Sequence, residues 1–220
     1  MSDLQPSRLS AVFCTEQQRP EVIDLLCKFR KSLFVDCYGW TLEITDERER
    51  DQFDTPAAVH CALMQDQEVV GCFRAVRADN DYLARCVFPQ LAAVKHYPQR
   101  PDAWEISRFG VRPGPDQREL AKLNYSLMFR FAQLRQAAAL VALVDLNHER
   151  LLKLLGIRTR RYGPPQIIGK TVHGEALWGV AGEIPVAEQQ GSRFHGLLAL
   201  AKRVEIEDEA LVLGRTRVSA

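Results

Sequence analysis

Between Trp104 and Phe109 the chain reads Trp-Glu-Ile-Ser-Arg-Phe, which places a carboxylate and a guanidinium three residues apart inside an apolar, aromatic run. Apolar runs are buried in folded chains, and a buried charge is costly unless it is paired or well hydrogen-bonded. This restricts the fold to one that supplies partners for Glu105 and Arg108. The pair is then either an internal ion pair of the scaffold or part of a reaction site.

The rest of the chain supplies the layers. From Glu21 to Val35 apolar residues fall at 22, 23, 25, 26, 29, 33 and 34, a helical stripe opened by Pro20. Arg30 and Phe34, four apart, share a face of it. Residues 36–55 are polar and irregular, spotted with Tyr38, Trp40 and Phe53, and read as a long loop of the kind that often carries function. The runs 57–64 and 68–77 around Gln65-Asp66-Gln67 predict an antiparallel hairpin, and 103–111 reads as a further strand. A strong amphipathic helix follows over 117–138, with Leu120, Leu123, Leu127, Met128, Phe131 and Leu134 at helical spacing. The continuous apolar run 139–144 reads as a buried strand. A short helix lies between Asn147 as N-cap and Gly156 as stop, then a strand over 171–180 and a terminal helix over 192–204. This order predicts one α/β layer structure, a mixed and largely antiparallel sheet with helices on its faces. It forms a single domain over 1–220, with 1–20 and 205–220 peripheral.

Composition narrows the function classes. The 220 residues are 46% hydrophobic and 26% charged, an ordinary soluble balance. A net charge of +1 argues against nucleic acid as a partner. The one dense basic patch, Arg158-Thr159-Arg160-Arg161, is either a solvated loop or a docking spot for an acidic partner or a phosphate. Six cysteines show neither C-x-x-C nor ligand spacing, so reduced core thiols are expected and no metal site. The N-terminus lacks a basic-then-apolar pattern, and no apolar run reaches spanning length. A cytoplasmic protein with no membrane association is expected.

Several reaction classes find no support. Ser107 lacks a G-x-S-x-G turn, and His60, His96, His148, His173 and His195 show no paired spacing and read as structural or exposed. There is no P-loop and no dinucleotide fingerprint. Gln166-Ile167-Ile168-Gly169-Lys170-Thr171 is a near miss to the acetyl-CoA loop of N-acetyltransferases. It fails at Thr171 and leads into a strand, not into the helix N-terminus that would bind phosphate. The acidic residues are more informative. Asp51 and Asp54 flank Phe53; alone they read as turn-favouring loop residues. Arg74 lies within an apolar strand on the face of Cys72 and Val70. It needs a partner, for which Asp51, Asp54 and Glu105 are the candidates. Several buried carboxylates with arginines are expensive as scaffolding alone, which points to a site.

Together these residues resemble the acyl-homoserine-lactone synthases, the LuxI-type autoinducer synthases of bacterial quorum sensing. The family pattern is met by Arg30, Phe34, Trp40, Asp51, Asp54, Arg74, Phe88, Glu105 and Arg108, in register and at family-like spacing. The resemblance is strongest from Arg30 to Phe109 and continues toward residue 180. It implies an N-acetyltransferase-like fold without the usual acetyl-CoA loop. It also implies an acyltransferase that joins an acyl group, from acyl-carrier protein or acyl-CoA, to S-adenosylmethionine as substrate, with no separate cofactor. The products are an acyl-homoserine lactone, methylthioadenosine and the free thiol carrier.

The resemblance also assigns roles. Glu105 is the base that removes a proton from the substrate ammonium, through a water. Burial raises its pKa while Arg108 or Arg74 lowers it. Asp51, Asp54 and Arg74 complete the catalytic group. Phe34 and Trp40 enclose the sulfonium and adenosyl group, Arg30 and Arg108 hold the carboxylate, and Phe109 adds to that substrate wall. Phe88, Leu123, Leu127 and Ala142 line the acyl pocket. Ala142 stands where some members carry a threonine associated with 3-oxo chains, which favours an unsubstituted or branched acyl group. The basic run 158–161 suits an acidic carrier protein or the phosphates of CoA. The alternatives are an N-acyltransferase of the same fold acting on another amine with acyl-CoA, and a non-catalytic small-ligand-binding module.

Overall fold

The computed structural model describes residues 8–171 and 173–210. Among the described residues there are eleven strands: β1 (Leu9–Cys14), β2 (Ile44–Thr45), β3 (Arg48–Glu49), β4 (Val59–Gln65), β5 (Glu68–Arg77), β6 (Ala103–Val111), β7 (Ala139–Asp145), β8 (Arg160–Arg161), β9 (Gln166–Lys170), β10 (Ala176–Pro185) and β11 (Glu205–Asp208). The helices are α1 (Pro20–Arg30), α2 (Leu83–Val87), α3 (Gln117–Leu134), α4 (Leu146–Leu154) and α5 (Ser192–Leu198). All strands but β2 and β3 form one sheet in the order β11-β1-β4-β5-β6-β7-β10-β8, with β9 also on β10. Pairing is antiparallel except at β1–β11 and β6–β7. This is the mixed, largely antiparallel α/β layer structure expected, in a single domain.

The ends depart from expectation. Leu9–Cys14 is not peripheral: β1 pairs with β4 along its whole length and buries Ala11, Phe13 and Cys14. Glu205–Asp208 adds the edge strand β11 beside it. Residues 1–7 and 211–220 lie outside the described residues. The strand expected over 171–180 is displaced. Thr171 and Glu175 close a turn with Gly174 at φ 81°, and the strand proper, β10, runs on to Pro185. The N-cap of α4 is Asp145 rather than Asn147, its carboxylate accepting the His148 N–H. Helix α3 stops at Leu134, and Gln136 at φ 51° turns the chain into β7.

The two faces of the sheet carry different layers. On one, α3, α4 and α5 cover the main apolar core, which includes Phe13, Phe73, Trp104, Ile106, Leu123, Leu127, Phe131 and Leu140. On the other, α1 packs over Val12, Ala62 and Cys72, while Tyr82, Leu91 and Val141 form a second cluster further along. The alternation of β-strand side chains produces this division: in β6, Trp104 and Ile106 enter the first face, Glu105 and Ser107 the second. The antiparallel β4–β5 hairpin has the expected turn, with Asp66 and Gln67 both at positive φ.

Candidate active site

Alternation alone would send Arg108 to the face of Trp104 and Ile106, away from Glu105. A β-bulge prevents this. The β5–β6 register shifts between Cys72 and Arg74, and Arg108 sits at φ 51°. Bulges re-aim side chains in this way. The freed backbone groups find partners: the Cys72 thiol donates to the Arg108 carbonyl at 3.1 Å, and Asn124 of α3 donates to the Cys72 carbonyl at 2.9 Å. Gly110 is next on the strand. A Cβ there would stand 2.5 Å from the Leu33 side chain and 3.3 Å from the Phe34 ring, so a glycine lets the chain after α1 close down beside the bulge.

Re-aimed, Arg108 completes a closed ring of alternating charge. Arg30 donates to both oxygens of Asp54 at 2.7 and 2.8 Å. Arg74 lies 3.0 Å from Asp54 and donates to Asp51 at 2.5 Å. Arg108 donates to the other Asp51 oxygen at 2.7 Å and to Glu49 at 2.8 Å. Glu49 accepts from Arg30 Nε at 2.5 Å, which closes the ring. Three arginines face three carboxylates, each between two of the opposite sign. Arg30, Arg74, Glu49 and Asp54 have side-chain exposures of 2% or less, whereas Asp51 reaches 17% and Arg108 7%. The ring therefore has a buried side and one accessible edge.

Charge balance accounts for its protonation. Burial pushes the Asp54 carboxyl up, but the hydrogen bond from Arg30 and the charges of Arg30 and Arg74 overcome this and hold it well below the carboxylate range. Burial likewise opposes Asp51, which Arg74 and Arg108 bring below its ordinary value. His60, 3.8 Å from Asp54, is lowered to about 3 by burial against the pull of Asp54. It is neutral near pH 7 and forms no ion pair there. It is one of the histidines read as structural.

Glu105 stands apart from the ring. It is buried, and its carboxylate accepts the backbone N–H groups of Ala84 at 2.7 Å and Leu83 at 3.2 Å, at the start of α2. It makes no bond to Arg108, so the ion pair suggested by the Trp104–Phe109 run does not form. Burial raises its pKa above 4.5, and the Ala84 N–H, the Arg74 charge and the Leu83 N–H offset that only in part. Arg74 links the two groups through a 3.1 Å bond to Ser107, two residues on in the strand.

The aromatic wall lies beyond α1. A π-helical segment, Lys31–Cys37, continues the helix. Its wide turn brings the Trp40 N–H to the Phe34 carbonyl at 2.9 Å. Phe34 and Trp40 stack with centroids 5.0 Å apart, and Tyr38 meets both rings at 6.2 Å. Phe34 is buried while Trp40 is 44% exposed. Around the accessible edge of the ring, Glu43, Thr45, Arg48, Arg50 and Asp51 line an open polar cleft.

A family profile described as autoinducer synthase matches residues 15–180. The chain belongs to the autoinducer synthase family. Among curated relatives it is similar to an acyl-homoserine-lactone synthase of Aeromonas salmonicida, with 33% identity over 70% of this chain and 77% of the relative. One from Acinetobacter nosocomialis is 32% identical over 64% and 82%. Among solved structures, the AHL synthase LasI superimposes with a TM-score of 0.76 at 22% identity, covering 87% of this chain and 96% of that one. BjaI, a CoA-dependent acyl-homoserine lactone synthase solved with SAM and isopentyl-CoA, gives 0.76 at 20% identity over 91% and 93%.

Against the autoinducer-synthase pattern, Arg30, Asp51, Asp54, Arg74 and Arg108 assemble as one unit, with Phe34 and Trp40 stacked nearby. Glu49 is an equal member that sequence reasoning missed. Charge counting gave no signal for it, because Asp51, Asp54 and Glu105 already made three carboxylates for three arginines; only the structure shows Glu105 bonded to backbone N–H groups instead. Arg30 is only 1% exposed, and all three of its guanidinium nitrogens donate to protein carboxylates. Phe109 is not beside Phe34 and Trp40: it follows the bulge onto the opposite face, stacked on Phe73 at 6.4 Å and tilted against Tyr125 at 4.4 Å. The acyl-pocket set also divides: Leu123 and Leu127 pack in the main core and Phe88 beside the second cluster. Ala142 lines a separate, shallow cleft with Val144, Leu152 and Ile184. The basic run 158–161 is largely neutralised. Arg160 bonds Glu188 at 2.6 Å, and Arg161 bonds both oxygens of Glu149 at 2.6 and 2.5 Å.

Proposed function

We propose that this enzyme makes an acyl-homoserine lactone from S-adenosylmethionine and an acyl thioester in the cytoplasm. The observation that carries the reading is the pairing of a closed Arg–carboxylate ring, open at Asp51 and Arg108, with a buried Glu105 held apart from every guanidinium. The ring binds without reacting: its edge offers a carboxylate to an ammonium and a guanidinium to a carboxylate, the two charged ends of an α-amino acid. Stacked Phe34 and exposed Trp40 add a π-face for a sulfonium and an adenine.

Glu105 is the group available for proton transfer. Its raised pKa makes the carboxylate a stronger base than an exposed glutamate, and the two N–H donors hold its orientation. It takes one proton from the substrate ammonium through a water. The free amine attacks the thioester carbonyl, the C–N bond forms, the C–S bond breaks, and the second nitrogen proton leaves with the thiol. The substrate carboxylate then attacks its own γ-carbon, the bond to the sulfonium breaks, and neutral methylthioadenosine departs. This step needs positioning rather than further acid or base.

The acyl tail is assigned to the opening where β6 and β7 part. Those strands pair only from Ala103 with Ala139 to Ile106 with Ala142, although both continue beyond. The opening leads from the Glu105 face toward the apolar core of Leu123 and Leu127, so Phe88 and the two leucines serve its two ends.

Incubation with S-adenosylmethionine and either acyl-CoA or acylated carrier protein, with thiol, methylthioadenosine and lactone measured together, tests the reading and identifies the donor. Equal release of thiol and methylthioadenosine with a lactone mass is expected. Thiol release without methylthioadenosine would move the function to N-acylation of another amine. No turnover with either donor would refute it.

A further inference from the structure

Past the last β6–β7 pair, three rings border the opening on the α3 side. Phe109 of β6 lies 4.4 Å from Tyr125 of α3 and 6.1 Å from His148 in the first turn of α4, centroid to centroid. Tyr125 Oη and His148 Nε2 are joined by a hydrogen bond. Tyr125 is buried in the main core, and burial raises its pKa and lowers that of His148, so both are neutral near pH 7. Among the described residues each of these two atoms has the other as its hydrogen-bond partner. The Asp145 carboxylate fixes the start of α4 by accepting the His148 backbone N–H at 2.8 Å. The chemistry above uses neither ring. A phenylalanine and a leucine would fill the same space without desolvating polar atoms, so the polar pair is not accounted for by packing.

We propose that the Tyr125–His148 pair sets acyl-chain selectivity, by discriminating against unsubstituted chains long enough to pass between the two side chains. The inference rests on the acyl-homoserine-lactone reading and on the tail entering between β6 and β7. A hydrocarbon tail advancing past Phe109 reaches the pair and must separate Oη from Nε2 to go further. That leaves the buried Tyr125 hydroxyl and the half-buried His148 nitrogen unpaired against the tail, a penalty a hydrocarbon cannot relieve. A short chain ends before the pair and leaves it intact. Discrimination of this kind comes from stranding the site's own polar groups rather than from steric exclusion.

The test is kcat/KM across a series of saturated acyl thioesters of increasing length, for the wild type, Tyr125→Phe and His148→Leu. Tyr125→Phe retains the ring and removes only the hydroxyl. The wild-type profile is expected to fall beyond a threshold length. In both variants the ratio of long-chain to short-chain kcat/KM should rise about tenfold or more, because no hydrogen bond remains to be broken. A merely structural role would lower all chain lengths together and leave the ratio unmoved, which would overturn the inference, as would a variant profile parallel to the wild type. Failure of the underlying reading looks different: wild type that yields no lactone with any thioester.

Discussion

The two faces of β6 are built from the same six residues and do opposite work. Trp104, Ile106 and Phe109 enter an apolar layer under α3, where Trp104 meets Phe131 edge-on at 5.2 Å. Glu105, Ser107 and Arg108 face a polar layer under α1 and α2. On the apolar side stability grows with the area removed from water and is indifferent to direction. On the polar side little net stability is expected from the buried charges, because desolvation cancels much of their attraction. What the polar side gains is fixed geometry. A strand can carry a site while remaining part of the core, provided the bulge at Arg108 assigns each residue to its layer.

The comparison can be broken most sharply at Glu105. Glu105→Gln keeps the shape and one acceptor oxygen, for the Ala84 N–H, but removes the base; we expect kcat to fall by about 10²–10⁴-fold, with only a modest drop in melting temperature from the Leu83 N–H left without its acceptor. Loss of stability in parallel with activity would show that Glu105 is scaffold. On the same logic wild-type activity should rise with pH through an apparent pKa above 4.5, since the raised Glu105 must be ionised to act.

Glu49→Ala probes the ring itself. It leaves Arg30 and Arg108 each short of a carboxylate in a buried setting, which should cost about 3–5 kcal/mol in urea unfolding. Leu63→Ala, in the same apolar core but away from the acyl route, should cost a similar amount, about 2–5 kcal/mol. The two differ in activity per folded molecule: the leucine variant should keep its use of S-adenosylmethionine, whereas the glutamate variant should lose it. Equal retention would mean that the ring is purely structural.

Acid separates the faces more gently. His60, at about 3 in the folded protein against an ordinary 6.5, takes up its proton more readily when unfolded. Stability should therefore fall as pH drops from about 6.5, by up to about 1.4 kcal/mol per pH unit. Asp51 and Asp54 are shifted down, so their contribution is complete above the ordinary carboxylate pKa and is lost only below about pH 4. Urea titrations at stepped pH should show a His60→Gln variant flatter than wild type between those limits. The smallest effect is expected at Trp40→Ala: with the ring largely at the surface, loss of one π-face should raise the KM for S-adenosylmethionine by a factor matching about 0.5–2 kcal/mol.

Much of this was legible in the sequence, for identifiable reasons. Arg30 and Phe34 sit one helical turn apart, Arg74 lies in an apolar strand, and Asp51 and Asp54 flank a phenylalanine. Each is a local violation of the apolar pattern and can be seen without coordinates. Glu49 could not be singled out, because it lies in the charge-dense run Asp46-Glu47-Arg48-Glu49-Arg50-Asp51. Only the two-residue strands β2 and β3, with Asp46 and Glu47 turning at φ 51° and 61°, point it inward. The face that Phe109 takes was illegible for a related reason: one residue at positive φ, Arg108, inverts everything after it in the strand. Strand β1 was missed because a short apolar segment near a terminus declares nothing until β4 and β11 pair with it.

By itself, then, the chain determined its layers, its family and the residue types of its site, since these follow from periodicity and from charges placed where apolar residues belong. The tertiary structure decided who pairs with whom. Arg108 found Glu49 and Asp51 rather than Glu105, and Glu105 found the backbone of α2, because ion pairing and hydrogen bonding depend on distances of a few ångströms set by a bulge, a turn and a close helix approach far apart in sequence.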